Sequence, residues 1–166
     1  MTDSNRENQP DKINKQYILV VSTLTFVVPI IGFGAESVMQ NTALTFELFG
    51  KWFIFSAVGL RLFLAGLRQT ITPAFTAKEI FHLEDKSSFP IVRELGFANL
   101  CFGLLGFFSI FITQWRTASA FSSGFYYGLA GILQLVKKPV GINEQFALWT
   151  DLVIFILLLI YFVKTI

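Results

Sequence analysis

Five apolar stretches, each about 18–20 residues long, dictate what this chain can fold into. They run from Tyr17 to Ala35, Leu48 to Leu67, Glu94 to Ile112, Ala118 to Val136 and Gln145 to Val163. At 1.5 Å per residue each is long enough, as a helix, to cross a hydrocarbon layer of about 30 Å. Charged residues make up 14% of the chain and apolar ones 54%, with 20 Phe and a mean hydropathy of +0.62. Soluble domains carry roughly 25% charged residues. A chain of this length cannot hide so much apolar surface in one aqueous core. The expectation is an all-α polytopic membrane bundle of five transmembrane helices. It forms one domain over residues 17–166, after a polar tail of residues 1–16. Soluble enzymes, nucleic-acid binders and disordered regulators are excluded on the same ground.

Charge placement gives the bundle a direction. With five spans the tail and the 68–93 and 137–144 loops share one side. That side holds nine Lys and Arg: Arg6, Lys12, Lys15, Arg68, Lys78, Lys86, Arg93, Lys137 and Lys138. The other side holds three, Lys51, Arg116 and Lys164. By the positive-inside rule the N-terminus is expected in the cytoplasm and the C-terminus outside the cell membrane. Two spans are weaker. The fourth has only seven Phe, Ile, Leu and Val, and is expected to insert as a hairpin with the third through a turn at Thr113–Thr117. The first has a second reading as a cleaved signal peptide with Gly32 and Gly34 at its cleavage site. Trp52, Trp115 and Trp149 lie near span ends and read as interfacial anchors.

The 68–93 loop contains Thr76-Ala77-Lys78-Glu79, whose spacing predicts a helix capped by Thr76 and lying along the membrane surface. It reads first as an ordered linker and second as a lid. Ser88 and Pro90 mark the start of the third span. Small residues form stripes on two spans: Gly96, Asn99, Gly103 and Gly106 on the third, and Ala120, Gly124 and Gly128 on the fourth. Such stripes let helices approach closely in lipid, so spans three and four are expected to pack together; a homodimer through Gly124–Gly128 is the alternative.

The candidate site comes from depth. Arg61 lies about six residues, roughly 9–10 Å, inside span two, and Asn99 and Asp151 fall at a similar level in spans three and five. Glu94, Arg68, Gln69 and Gln134 lie nearer the same edge. An arginine inside a bilayer costs about 2.5–3.5 kcal/mol and cannot shed its proton, so it needs an anionic partner. Asp151 matches in depth, and Glu94 is within reach. Ala57, Arg61, Ala65 and Arg68 fall on one helical face, a stripe opening toward the positive side. The expected ligand-binding set is therefore Arg61, Arg68, Glu94, Asn99, Gln134 and Asp151. The plain alternative is a buried ion pair that only fixes packing. Tyr126 and Tyr127 face either this site or lipid.

Little else carries chemistry. Cys101 has no partner for a disulfide, and the lone His82, read as a solvated loop residue, supplies neither a hydrolytic triad nor a metal site. No catalytic residue, metal or cofactor is assigned.

The stretch FTAKEIF from Phe75, then FPIVRELGFANLCFGLLG ending at Gly106, resembles a family of bacterial integral-membrane proteins related to the DoxX-like group. YYGLAGILQ, Asp151 and the preceding RLFLAGLRQTITP extend the resemblance over about residues 48–163. It implies a four-helix core, here with an additional N-terminal helix. Some DoxX-like proteins accompany quinone-linked or thiol-redox systems; Cys101 alone does not supply a dithiol. The fold is carried over and no activity is. The expected function is binding of a small amphiphile, such as a lipid or quinone-like head group, or service as a subunit of a membrane complex. A small transporter or proton-coupled carrier titrating Asp151 or Glu94 is the first alternative, and a purely structural membrane partner the second. Expected partners are membrane lipids, an amphiphilic small molecule and a membrane protein, and not nucleic acid.

Overall fold

The computed structural model describes residues 13–81, 83–138 and 141–166. The described residues are helical throughout apart from short connections. Arg6, Lys12 and His82 lie outside them. Helix α1 is Lys15–Gln40 and α2 is Phe46–Ile71. A short α3 joins Pro73–Phe75 to Thr76–Ile80. After one tight turn at Lys86–Ser88 come α4 (Phe89–Phe108), α5 (Gln114–Lys137) and α6 (Ile142–Thr165). Four of these, α1, α2, α4 with its leading turn, and α6, are long and apolar enough to cross a membrane. The fifth, α5, has 24 residues, but Ser and Gly dilute its apolar character.

Local signals explain the boundaries. Asn14 Oδ1 accepts from the Tyr17 amide at 2.9 Å, so α1 begins inside the expected tail. The helix closes at Asn41, whose left-handed backbone (φ 49°) suits an asparagine. Thr45 Oγ1 caps α2 by accepting from the Leu48 amide at 3.2 Å. Pro90 occupies the first turn of α4, where a missing N–H costs nothing. Ser88 does not cap that helix; its hydroxyl donates to the Asp85 carbonyl at 2.6 Å. The third span begins at Phe89, where Ser88 and Pro90 mark it and five residues ahead of the apolar stretch from Glu94, and the chain turns at 109–113 rather than 113–117. Thr76 does not cap α3 either. Pro73 takes the first turn, which moves the start back by three residues and buries Thr76 and Ala77 against the bundle.

Besides Thr76–Ile80 in α3, two helices contain wider π-type windings, Thr23–Val27 in α1 and Ile54–Leu60 in α2. In α1 the cause is Pro29. It has no N–H for the carbonyls one turn back, and the Val28 amide reaches to Thr23 instead. The Ser56 hydroxyl, from the widened part of α2, donates to the Leu24 carbonyl at 2.6 Å. The Tyr127 hydroxyl likewise donates to Ala57 at 2.8 Å. Side chains thus serve carbonyls in the two widened segments, as a lipid environment requires.

Packing is by pairs. On α4, Gly96, Gly103 and Gly106 face α2 and not α5: a methyl group on Gly106 would sit 2.6 Å from the Gly59 nitrogen, and one on Gly66 2.7 Å from the Gly96 oxygen. On α5, Gly124, Gly128 and Gly131 rest on Leu158, Phe155 and Leu152 of α6. The expected pairing of spans three and four is therefore replaced by α2 with α4 and α5 with α6. The Gly124–Gly128 face is occupied within the chain.

Contacts fix which termini share an end. At the near end the Asn14 amide donates to Asn143 Oδ1 at 3.1 Å, Tyr17 lies against Phe75 and Phe146, and Lys137 sits over Phe81. At the far end both Glu36 carboxylate oxygens bind Lys51 Nζ at 2.7 Å, and the Trp52 indole donates to the same carboxylate. Trp52 is thus tied to an ion pair near the end of its span. Trp115 and Trp149 are exposed.

Candidate functional site

Between the two helix pairs lies a cavity of about 570 Å³, within the range of small-molecule sites. Helices α4 and α5 touch where Phe102 stacks near Tyr126, with ring centroids 5.0 Å apart, and again at Phe108 and Trp115. Nearer the Lys15 end, Leu95 of α4 and Leu133 of α5 both line the cavity. Tyr17 of α1 and Phe75 and Thr76 of α3 complete the wall toward that end. Most of the lining is Leu, Val, Ile, Ala and aromatic carbon, and the polar groups are concentrated on one part of it.

That polar floor is built around Arg61. Its Nη2 donates to Asp151 Oδ1 at 2.7 Å and to Thr150 Oγ1 at 3.1 Å, and its guanidinium carbon lies 5.2 Å from the Tyr127 ring centre. Both charged side chains are buried. Gln134 Nε2 donates to the second carboxylate oxygen, Asp151 Oδ2, at 3.3 Å. Beside them Asn99 Nδ2 donates to Gln69 Oε1 at 2.6 Å. Three atoms of this floor are buried without a hydrogen-bond partner: Arg61 Nη1, Asn99 Oδ1 and Gln134 Oε1. Unmade bonds of this sort in a buried site are costly.

The position along the helices is uniform. Arg61 is ten residues before the end of α2 at Ile71, Asn99 ten after Phe89, and Asp151 nine after Ile142. That is about 15 Å at the helical rise, deeper than the 9–10 Å expected, because α2 runs four residues past Leu67. Of the expected set, Arg61, Arg68, Asn99, Gln134 and Asp151 all line the cavity. Arg68 is at its mouth, its guanidinium stacked 3.4 Å from the Phe75 ring centre. Glu94 is not brought to the site. It is exposed on α4, turned about 140° from Asn99 by five residues of helix, while Leu95 takes the inward place. Among the described residues Asp151 is the carboxylate paired with Arg61.

Some floor residues escaped the sequence reading. Thr150 is next to Asp151, yet its Oγ1 also lies 2.9 Å from the Phe146 and Ala147 carbonyls, a bond that no sequence pattern announces. Gln69, eight residues beyond Arg61 and about 80° round α2 from it, was read as lying near the edge but outside the ligand-binding set, and the structure brings it to the floor. Tyr126 and Tyr127 both face the cavity. Among the described residues no group of three or more His, Cys, Asp or Glu could hold a metal.

No curated protein and no solved structure gives a significant match. A family match extends over residues 16–165, which includes α1, a helix that the resemblance over residues 48–163 leaves out. The chain belongs to the family of unknown function DUF6790.

Proposed function

We propose that this is an integral protein of the cell membrane that holds a small amphiphile, a lipid or quinone-like molecule, head group inward between the two helix pairs. The observation that carries the reading is one cavity with apolar walls and a buried polar floor that keeps three unpaired atoms. In this reading α5 is a fifth span, inserted with α6, whose side chains cover its glycines. Seven Lys and Arg of the described residues (Lys15, Arg68, Lys78, Lys86, Arg93, Lys137 and Lys138) lie at the near end, against Lys51, Arg116 and Lys164 at the far end. That asymmetry supports an orientation with the near end and the N-terminus in the cytoplasm and the C-terminus outside. A DoxX-like four-helix core of α2, α4, α5 and α6, with α1 added, belongs to the same proposal. So does service as a subunit of a membrane complex, with Leu129 and Leu133, exposed beside the cavity, as its lateral approach.

The test fills the cavity. Ala65 lines it without touching the ion pair's hydrogen bonds, so Ala65→Trp is expected to leave melting behaviour intact. Native mass spectrometry of protein released from membranes should show bound amphiphile in the wild type and none in the variant. Identical adducts on both would end the proposal.

A second reading, a small carrier, draws on Ser119 and Ser123, buried hydroxyls one turn apart on the far half of α5 and without hydrogen-bond partners. They supply polar atoms on the opposite side of Asp151 from the cavity mouth. Proteoliposome flux abolished by Asp151→Asn would favour it; unchanged flux would remove it.

A further inference from the structure

Among the buried side-chain atoms of the residues that line the cavity, one donor and two acceptors have no hydrogen-bond partner, and they select among amphiphiles. Arg61 Nη1 can only donate, whereas Asn99 Oδ1 and Gln134 Oε1 can only accept. The positive charge of Arg61 is already matched by Asp151 at 2.7 Å, so the floor is neutral as a unit. A carboxylate or phosphate head would bring a second negative charge beside Asp151 and face two carbonyl oxygens, in surroundings where charge repulsion is weakly screened. A head that only accepts, a ketone or an ester, would satisfy Arg61 and leave both carbonyls bare. A hydroxyl does both: it accepts from Nη1 and donates to a side-chain carbonyl. The cation at the mouth does not alter this balance, because Arg68 is seven residues, about 10 Å, nearer the end of α2 and is exposed.

We infer that the occupant of this cavity is an uncharged amphiphile whose head carries a hydroxyl, held between Arg61 Nη1 and the carbonyl of Asn99 or Gln134. The inference rests on the amphiphile-binding reading above and narrows it. Two sources share that chemistry, a phenolic head such as a quinol and a glycerol head such as a monoacylglycerol.

The experiment uses the full chain in lipid nanodiscs with radiolabelled dodecanol and dodecanoate, which differ only in the head, and subtracts binding to empty nanodiscs. Dodecanol is expected to bind at least about tenfold more tightly than dodecanoate, the worth of one well-made buried hydrogen bond. Unlabelled dodecylhydroquinone and monododecanoylglycerol then compete for the site; whichever displaces the label names the source, and displacement by either supports the inference. Dodecanol has one proton to donate, so whichever of Asn99→Leu and Gln134→Leu removes the receiving carbonyl should weaken dodecanol about tenfold and leave dodecanoate unchanged, and unchanged dodecanol binding in both variants overturns the assignment. Because the wild-type comparison stands alone, a variant that fails to fold costs nothing. Dodecanoate binding as well as dodecanol overturns the hydroxyl assignment and leaves the amphiphile site standing. Neither ligand binding above the empty-nanodisc level overturns both.

Discussion

Asp151 holds Arg61 with one oxygen and Gln134 with the other, and this division sets what each substitution should do. Removing either charge alone strands its partner in an apolar interior, a loss of about 3–5 kcal/mol. Removing both leaves no charge stranded, and only the Gln134 amide loses its acceptor. Arg61→Leu and Asp151→Leu should each lower stability sharply, while the double substitution should be much less damaging than their sum. Unfolding measured for the four proteins of that cycle checks it; additive losses would mean the two groups do not depend on each other. This pair was legible in the sequence because cost and depth are both one-dimensional quantities: an arginine inside an apolar run demands an anion, and only a carboxylate at a similar level can supply it. Glu94 lay nearer the edge but within reach of a long side chain, and it failed on rotation. Five residues separate it from Asn99, and position along a helix says nothing of which neighbour a side chain faces until the neighbours are known.

For the helices, the informative residues are the glycines at crossings. Gly59 meets Gly106 and Gly66 meets Gly96, so the backbones of α2 and α4 run in direct contact in antiparallel register. A methyl group at Gly106 would press on backbone, which cannot swing aside, so Gly106→Ala should cost about 1–3 kcal/mol. Gly34 has nothing within 4 Å of the same added carbon, and Gly34→Ala should fall within about 0.5 kcal/mol of wild type. Thermal unfolding in one detergent compares the two. The stripe on α4 was visible in the sequence as a surface made for close approach. Its partner was not, since small residues advertise nearness without naming the helix that comes near. Gly59 and Gly66, seven apart on α2, were the matching half of that pattern. The widened windings were out of reach for another reason: only Pro29 leaves a trace in the sequence, and the winding in α2 has no such residue to mark it.

Taken whole, the molecule is two helix pairs joined at the far end and parted toward the near end by the cavity, with α1 and α3 closing two of its sides. The proposed orientation makes the two ends differ in accessibility. In intact cells Thr113→Cys, between α4 and α5, should react with a membrane-impermeant maleimide, and Ser87→Cys, ahead of α4, should react only after lysis, both in a Cys101→Ser background. The reverse pattern would invert the protein; equal labelling of both would remove α4 as a crossing. The count of apolar stretches was enough to foresee long helices and short connections. It could not foresee the gap, which exists because α4 is drawn to α2 and α5 to α6, and that preference lives in side-chain shape on four helices at once.

The bond from Ser56 to Leu24 ties together two positions that never meet along the chain. Pro29 takes away a donor on one helix, and a serine on another gives it back. Neither residue has a fixed worth by itself: the hydroxyl is valuable because the ring is there, and the ring is tolerable because the hydroxyl is. A lineage that lost the proline would be free to lose the serine afterwards, whereas the opposite order would pass through an intermediate with a carbonyl stranded among acyl chains.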